Sequence, residues 1–248
     1  MTPRIAHIWR HPIKAHGTEE VSEVQLAPGQ GLPWDRHWAV AHEASSADGR
    51  EWVPCANFSR GAKAPALMAI RARLDEETGV LALTHPERPP LRFHPERDQT
   101  AFLEWARPLM PAGRAASARI LRARARAMTD TPFPSVSLNA LSTLEELSSR
   151  AGKPLSPLRW RGNIWFDGTR PWEEFEWIGR RLRLGTAELE IRERITRCRA
   201  TTANPETGRI DIDTLALLEN NWGHRDFGVY GVVIKGGRVA VGDRLEVL

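Results

Sequence analysis

Short runs of alternating apolar and polar residues, each closed by a Gly or Pro signal, set the limits on what this chain can become. RIAHIWRHPIK opens in this way, and VSEVQLAPGQG runs on into a turn. HWAVAHEA and ALMAIRARL follow, and Glu77-Thr78-Gly79 then turns the chain into VLALTH. Successive strand side chains point to opposite faces, so this period suits sheets with one buried face. Several short strands punctuated by Gly and Pro predict a small barrel or sandwich in the first part of the chain. One helix is expected there, from Asp98-Gln99-Thr100 into AFLEWARPL, with Pro108 and Pro111 helping to end it.

The second part mixes element types. Ser142-Thr143-Leu144-Glu145 reads as a capping box, and Leu141, Leu144 and Leu147 recur at helical spacing. Gly152 and Pro154 stand where that helix should stop. RGNIWF, AELEIRERI, FGVYGVVI and RLEVL read as strands, and DTLALLENNW as a helix. Gly236-Gly237 reads as a hairpin turn between VVIK and RVAV. The expected fold class is mainly β with flanking helices (α+β). The Pro-rich stretch around residues 108–116 is taken as the linker between a first domain, 1–108, and a second, 109–248.

Composition excludes several function classes. A hydrophobic share of 41% beside 27% charged residues is too apolar for disorder. No apolar run approaches the roughly 20 residues of a membrane span. The start, MTPRIAHIWRHPIK, lacks the apolar core of a secretion signal, so a cytoplasmic protein is expected. The two cysteines form one bridge at most, and no Cys-x-x-Cys or His/Cys cluster suggests structural zinc. An iron–sulfur cluster usually takes four thiolates, so any electrons must come from a separate donor. The formal charge of +4 hints at an anionic partner. The most basic stretch, ARILRARARAM at 118–128, alternates Arg122, Arg124 and Arg126 with small or apolar residues, as an exposed strand face does. It lacks the interleaved aromatic platforms of a nucleic-acid binder, so no nucleic-acid partner is expected.

Cys198 is the most informative single residue. Arg194, Arg197 and Arg199 surround it in the chain. Nearby cations favour a thiolate, the form that attacks electrophiles or binds soft metals. The competing reading is a buried small hydrophobe whose arginines point to solvent. Cys55, flanked by apolar residues in Trp52-Val53-Pro54-Cys55, reads as packing. His37 and His224 are the best acid/base candidates, although a surface or hydrogen-bonded histidine is the stronger reading of each.

RCRATTANPETG, preceded by RGNIWFDG and followed by FGVYGVVIKGGRVAVGDRLEV, resembles the MOSC domain. That domain occurs at the C-terminus of molybdenum cofactor sulfurases and in the mitochondrial amidoxime-reducing component. HPIKAHG and WDRHWAV resemble the β-barrel domain that precedes it in those proteins. The resemblance covers nearly the whole chain, in order. It implies an N-terminal β-barrel-like domain followed by a C-terminal MOSC β-barrel domain. It also implies molybdenum cofactor (Mo-molybdopterin), an anionic pterin whose dithiolene chelates the metal and whose tail is a phosphate. Cationic forks suit the phosphate and a thiolate suits the metal.

Residue by residue, the resemblance makes Cys198 the metal ligand and catalytic residue. Lys14 matches the lysine of a Pro-Val/Ile-Lys-Ser motif, with Ala15 standing where the family has serine and so lacking its hydroxyl. Arg36, Asp130 with Thr131, Arg161 with Asn163, and Thr196 match further cofactor-binding positions. Local readings stay open beside these: a solvated strand end for Lys14, an Asp35–Arg36 bridge, and an Asx turn at Asp130. Gly162, between Arg161 and Asn163, would permit close backbone approach to a ligand. Thr196 and Cys198, two apart in an extended segment, would face one pocket. The implied activity is reduction of N-hydroxylated or N-oxide small-molecule substrates with electrons from a ferredoxin-, flavin- or cytochrome-type donor. The alternative is a sulfur (persulfide) or cofactor carrier acting through Cys198, served by a cysteine desulfurase. A weaker third reading is a module that senses the cofactor without turnover. One ligand can use both groups of residues only in a cleft where the two halves meet.

Overall fold

The alternating segments do form strands, and several of them take partners distant in sequence. In the computed structural model, which describes residues 2–248, β1 (Arg4–Arg10) pairs antiparallel with β10 (Ile164–Asp167) and with β2 (Glu19–Val21). β10 runs parallel to β9 (Val136–Ala140), which pairs with β13 (Asp226–Lys235). Beyond β13 come β12 (Ala187–Thr196), β11 (Arg181–Leu184) and β15 (Leu245–Val247), completing an eight-stranded mixed sheet. β3 (Glu23–Leu26) pairs with β14 (Gly237–Ala240), so the start of the chain is woven into its end. Among the described residues the fold is mainly β with three α-helices, as the sequence predicts.

A second group lies in the first part of the chain. β5 (Arg71–Asp75), β6 (Val80–His85) and β7 (Arg88–Phe93) form an antiparallel sheet, and β4 (Trp38–His42) pairs with β8 (Ser117–Arg122). Helix α1 (Gln99–Ala106) buries Phe102 and Trp105 in the core under these strands, with Ile13, Trp38, Leu81 and Phe93. The main sheet has its own core around Ile8, Leu138, Ile164, Phe166, Ile191 and Val229. A third cluster joins Trp160, Trp165 and Phe227 to Leu147 of α2 (Leu141–Ala151) and Leu218 of α3 (Thr214–Trp222).

Three local expectations need correction. Ser142 does not cap α2. The helix begins at Leu141 with Ala140 as N-cap, and the Ser142 hydroxyl lies 3.0 Å from Thr169 Oγ1. By contrast α3 is capped as expected, with Asp213 accepting from the Leu215 and Ala216 N–H groups. Gly236-Gly237 does not close a hairpin, because β14 leaves β13 and joins β3. The basic strand ends at Arg122, and residues 124–126 lie in a bend. Among the described residues no helix is long and apolar enough to cross a membrane.

Candidate functional site

A cavity of about 250 Å³ opens between the two groups of strands. Lys14, Arg36, Asp130, Arg161, Thr196 and Cys198 all line it. Backbone hydrogen bonds bring the first of these together. Lys14 N donates to Trp38 O at 2.8 Å, Arg36 N to His11 O at 2.7 Å, and Met128 N to Arg36 O at 3.0 Å. The Lys14 side chain is 4% exposed, and its Nζ donates to Met128 O at 2.7 Å and to Asp130 Oδ1 at 2.5 Å. It is therefore a buried ion-pair donor and not a solvated strand end.

Arg36 and Asp35 form the bridge that the sequence left open, and Arg36 still reaches the cavity. Its Nη1 donates to Asp35 Oδ2, and its Nη2 donates to Arg161 O at 3.0 Å. Asp35, 1% exposed, also accepts from the His11 backbone N–H at 2.7 Å. Burial opposes its charge, but Arg36 and His11 hold its carboxyl well below the usual carboxylate range. Asp130 keeps half of its side chain exposed, and against the burial of the rest Lys14, Arg36 and Arg161 hold its carboxyl down to about 2. Burial, then Arg161, keeps His11 neutral by pulling it down to about 3.

Arg161 is the cation with capacity to spare. Burial, then Arg36, pulls its guanidinium down to about 9. Its Nη2 donates to Gly17 O at 3.2 Å, while Nη1 is buried without a partner. Two more unpartnered donors belong to cavity residues: Arg159 Nε and Trp160 Nε1, on side chains 3% and 1% exposed. A buried donor without an acceptor carries a desolvation cost of roughly 1–3 kcal/mol, which an acceptor-rich anion would relieve. Ala15, Arg36 and Arg161, three of the five non-glycine residues with positive φ among the described residues, also line this cavity. Such backbone strain is concentrated at functional sites.

Thr131 and Asn163 are not among the lining residues. The Thr131 hydroxyl donates to Phe133 O at 2.7 Å. Asn163 lies behind the lining residue Ser137, accepting from its N–H and hydroxyl, and donates to Trp9 O. Gly162 makes its close approach to protein: a Cβ there would sit 2.1 Å from Asn139 Nδ2. Thr196 and Cys198 do share the cavity, but the Thr196 hydroxyl donates to Asp226 at 2.6 Å.

The arginines around Cys198 diverge in space. Arg194 stacks on Phe175 at 4.3 Å, and Arg197 turns inward to Phe227 O, Trp160 O and Asn139 Oδ1. Arg199 lines a separate surface groove with Ile210 and Arg225. Cys198 is exposed, and among the described residues no hydrogen bond reaches its sulfur. Cys55 was expected only to pack. It is half-buried on the cavity wall, and its sulfur accepts from Arg60 Nη1 at 3.0 Å. His37 packs between Trp34 and Trp38, and His224 lies beside Trp172 and Phe175; neither lines the cavity. Sequence reasoning missed Arg159, Trp160 and Tyr230. All three lie within or beside the quoted motifs, so contiguity with Arg161 and with FGVYGVVI was the available signal. Burial, then Asp130, pushes the Tyr230 phenol upward, so it remains an O–H donor. No group of three or more His, Cys, Asp or Glu residues that could hold a metal ion forms among the described residues.

A family model described as the MOSC domain matches residues 128–246, and one described as the MOSC N-terminal beta barrel domain matches residues 2–121. Among curated proteins nothing matches. A solved structure of the YuaD protein from Bacillus subtilis is 14% identical, covers 100% of this chain and 96% of its own, and has a TM-score of 0.48. YiiM from Geobacillus stearothermophilus is 16% identical over 46% of this chain and 53% of its own, with a TM-score of 0.34. YiiM from Escherichia coli is 19% identical over the same shares, also with a TM-score of 0.34.

Proposed function

The chain belongs to the MOSC family and carries the N-terminal β-barrel domain that accompanies it, and from that premise we propose that its cavity holds molybdenum cofactor. MOSC domains are associated with binding this cofactor. The proposed activity is reduction of N-hydroxylated or N-oxide small molecules, with electrons from a separate ferredoxin-, flavin- or cytochrome-type donor. A cytoplasmic setting belongs to the same proposal.

The observation that carries it is the trio of buried, unpartnered donors on Arg159, Trp160 and Arg161, three residues that line the same cavity as Cys198. The residues fit the group. Arg161 offers a free N–H for phosphate or pterin oxygen, and Arg36 and Lys14 add positive charge beside the carboxylates of Asp35 and Asp130. Cys198 offers the soft ligand suited to a transition metal. When bound, the cofactor supplies two-electron redox chemistry that none of these side chains can perform. The chain contributes orientation, charge and the Tyr230 O–H donor. Thr131 and Asn163 act from behind the wall, holding the segments around Asp130 and Arg161.

The carrier reading has one observation in its favour. The Cys198 sulfur is exposed and unbonded, so another protein such as a cysteine desulfurase could reach it. Purification from a host that makes the cofactor separates the two. Pterin released from wild-type protein, and less from Arg161→Ala, is the expected result. Pterin-free protein bearing a persulfide on Cys198 supports the carrier and contradicts the oxidoreductase.

A further inference from the structure

The chain's two cysteines come from distant segments and line one cavity. Cys55 begins the short 3-10 turn Cys55–Asn57, and Arg60 fixes its sulfur with a hydrogen bond at 3.0 Å. Cys198 precedes the 3-10 turn Arg199–Thr202. The two segments touch just beyond the thiols. A Cβ on Gly61 would lie 3.4 Å from Ala200 Cβ, which is ordinary van der Waals contact between the two segments. The thiols also differ in access: Cys198 is exposed and Cys55 half-buried. A small oxidant from solvent meets Cys198 first, with a second thiol waiting inside. Packing does not account for a sulfur that faces a cavity and is held by a guanidinium.

We propose that Cys55 is the resolving thiol of Cys198, and that a hydroperoxide closes the pair into a reversible disulfide when no metal occupies Cys198. In the first step the Cys198 sulfur attacks the peroxide, the O–O bond breaks, and an alcohol or water leaves. Cys198 is then a sulfenic acid, oxidised by two electrons. In the second step the Cys55 sulfur attacks the Cys198 sulfur. The S–S bond forms, the S–O bond breaks, and the hydroxyl leaves as water with the proton of Cys55. Two thiols and one hydroperoxide give one disulfide, one water and one alcohol (a second water for hydrogen peroxide). A dithiol reductant restores both thiols. The disulfide withdraws the sulfur that either functional reading needs and protects it from irreversible oxidation to the sulfinic acid. It depends on neither reading.

The test uses the full chain from a host unable to make molybdenum cofactor, exposed to equimolar hydrogen peroxide. It is then alkylated and digested without reductant. The expected product is one cross-linked peptide containing Cys55 and Cys198, with both free thiols lost and both recovered with dithiothreitol. Cys55→Ser, checked for native circular dichroism, should instead give dimedone-trapped sulfenic acid at Cys198 and, with a second equivalent of peroxide in place of dimedone, sulfinic acid. Cys198→Ser should leave Cys55 unmodified at the same dose. Equal sulfinic acid in wild type and Cys55→Ser, linkage only between chains, or no oxidation of wild type would each overturn the proposal.

Discussion

The cavity wall that carries Lys14 and Arg36 is buried and ion-paired, whereas Cys198 on the facing wall is exposed and its sulfur makes no hydrogen bond. The difference separates what folding requires from what a ligand requires. A charge taken out of water must be met by other protein groups, as Asp35 meets Arg36 and Asp130 meets Lys14. Those groups are therefore part of the fold before they are part of a site. The thiol has no such duty and is left free for a partner.

The comparison is tested most severely by removing one side-chain group from each wall. Asp35→Ala leaves Arg36 and His11 without their acceptor, and breaking such a buried pair costs about 3–5 kcal/mol. Cys198→Ser, at an exposed and unbonded position, should stay within roughly 0.5 kcal/mol. Denaturant titration of cofactor-free protein measures both. Equal losses would erase the distinction between the walls.

Acid should act through the buried wall. Burial holds His11 near 3 and His16 near 4, both below the ordinary 6.5. Between 6.5 and those values the unfolded chain binds protons that the folded chain does not, so stability falls as pH falls through this window. His16 contributes on the order of 3 kcal/mol across it. Asp35 and Asp130 add a loss of the same sign below 3.8, because their folded values are depressed and their protonation favours the unfolded chain. The unfolding midpoint should therefore drop steadily between pH 6.5 and 4, and His16→Gln should make the slope shallower. An unchanged slope would remove His16 from the account.

Smaller effects sharpen the line between fold and ligand. Arg161→Ala removes the free N–H from the cavity and should weaken cofactor binding by roughly 1.5–3 kcal/mol, or about tenfold to a hundredfold. Arg36→Ala should lower occupancy as well, but with a loss of stability, since Asp35 is stranded. Cys55→Ser should leave cofactor content unchanged, and released pterin measured on all three variants ranks them. Equal content in every variant would remove both arginines from the site.

Much of this was legible in the chain, and the misses have physical causes. VLALTH and AELEIRERI alternate because one face of each is largely buried, and both form strands, as does RIAHIWR, which is buried on both faces from Ile8 onward. VSLNA carries no alternation to read, because β9 is buried along its whole length between β10 and β13. Gly236-Gly237 was misread because a local turn signal does not say which sheet the next strand will join. In the site, Lys14, Arg36, Arg161 and Cys198 were readable from motifs that cluster in sequence. Cys55 and Arg60 were not, because their segment meets residues 198–200 only through long-range packing at Gly61. The arginines flanking Cys198 show the opposite error: neighbours in sequence, they point to three different surroundings.

The central claim is that the free thiol takes the metal while the buried wall holds the rest of the group. Molybdenum analysis of wild type and Cys198→Ser, both purified from a cofactor-producing host, tests it most directly. The account predicts stoichiometric molybdenum in wild type and a sharp loss in Cys198→Ser at unchanged stability. Metal-free wild type, or equal molybdenum in both proteins, would contradict it.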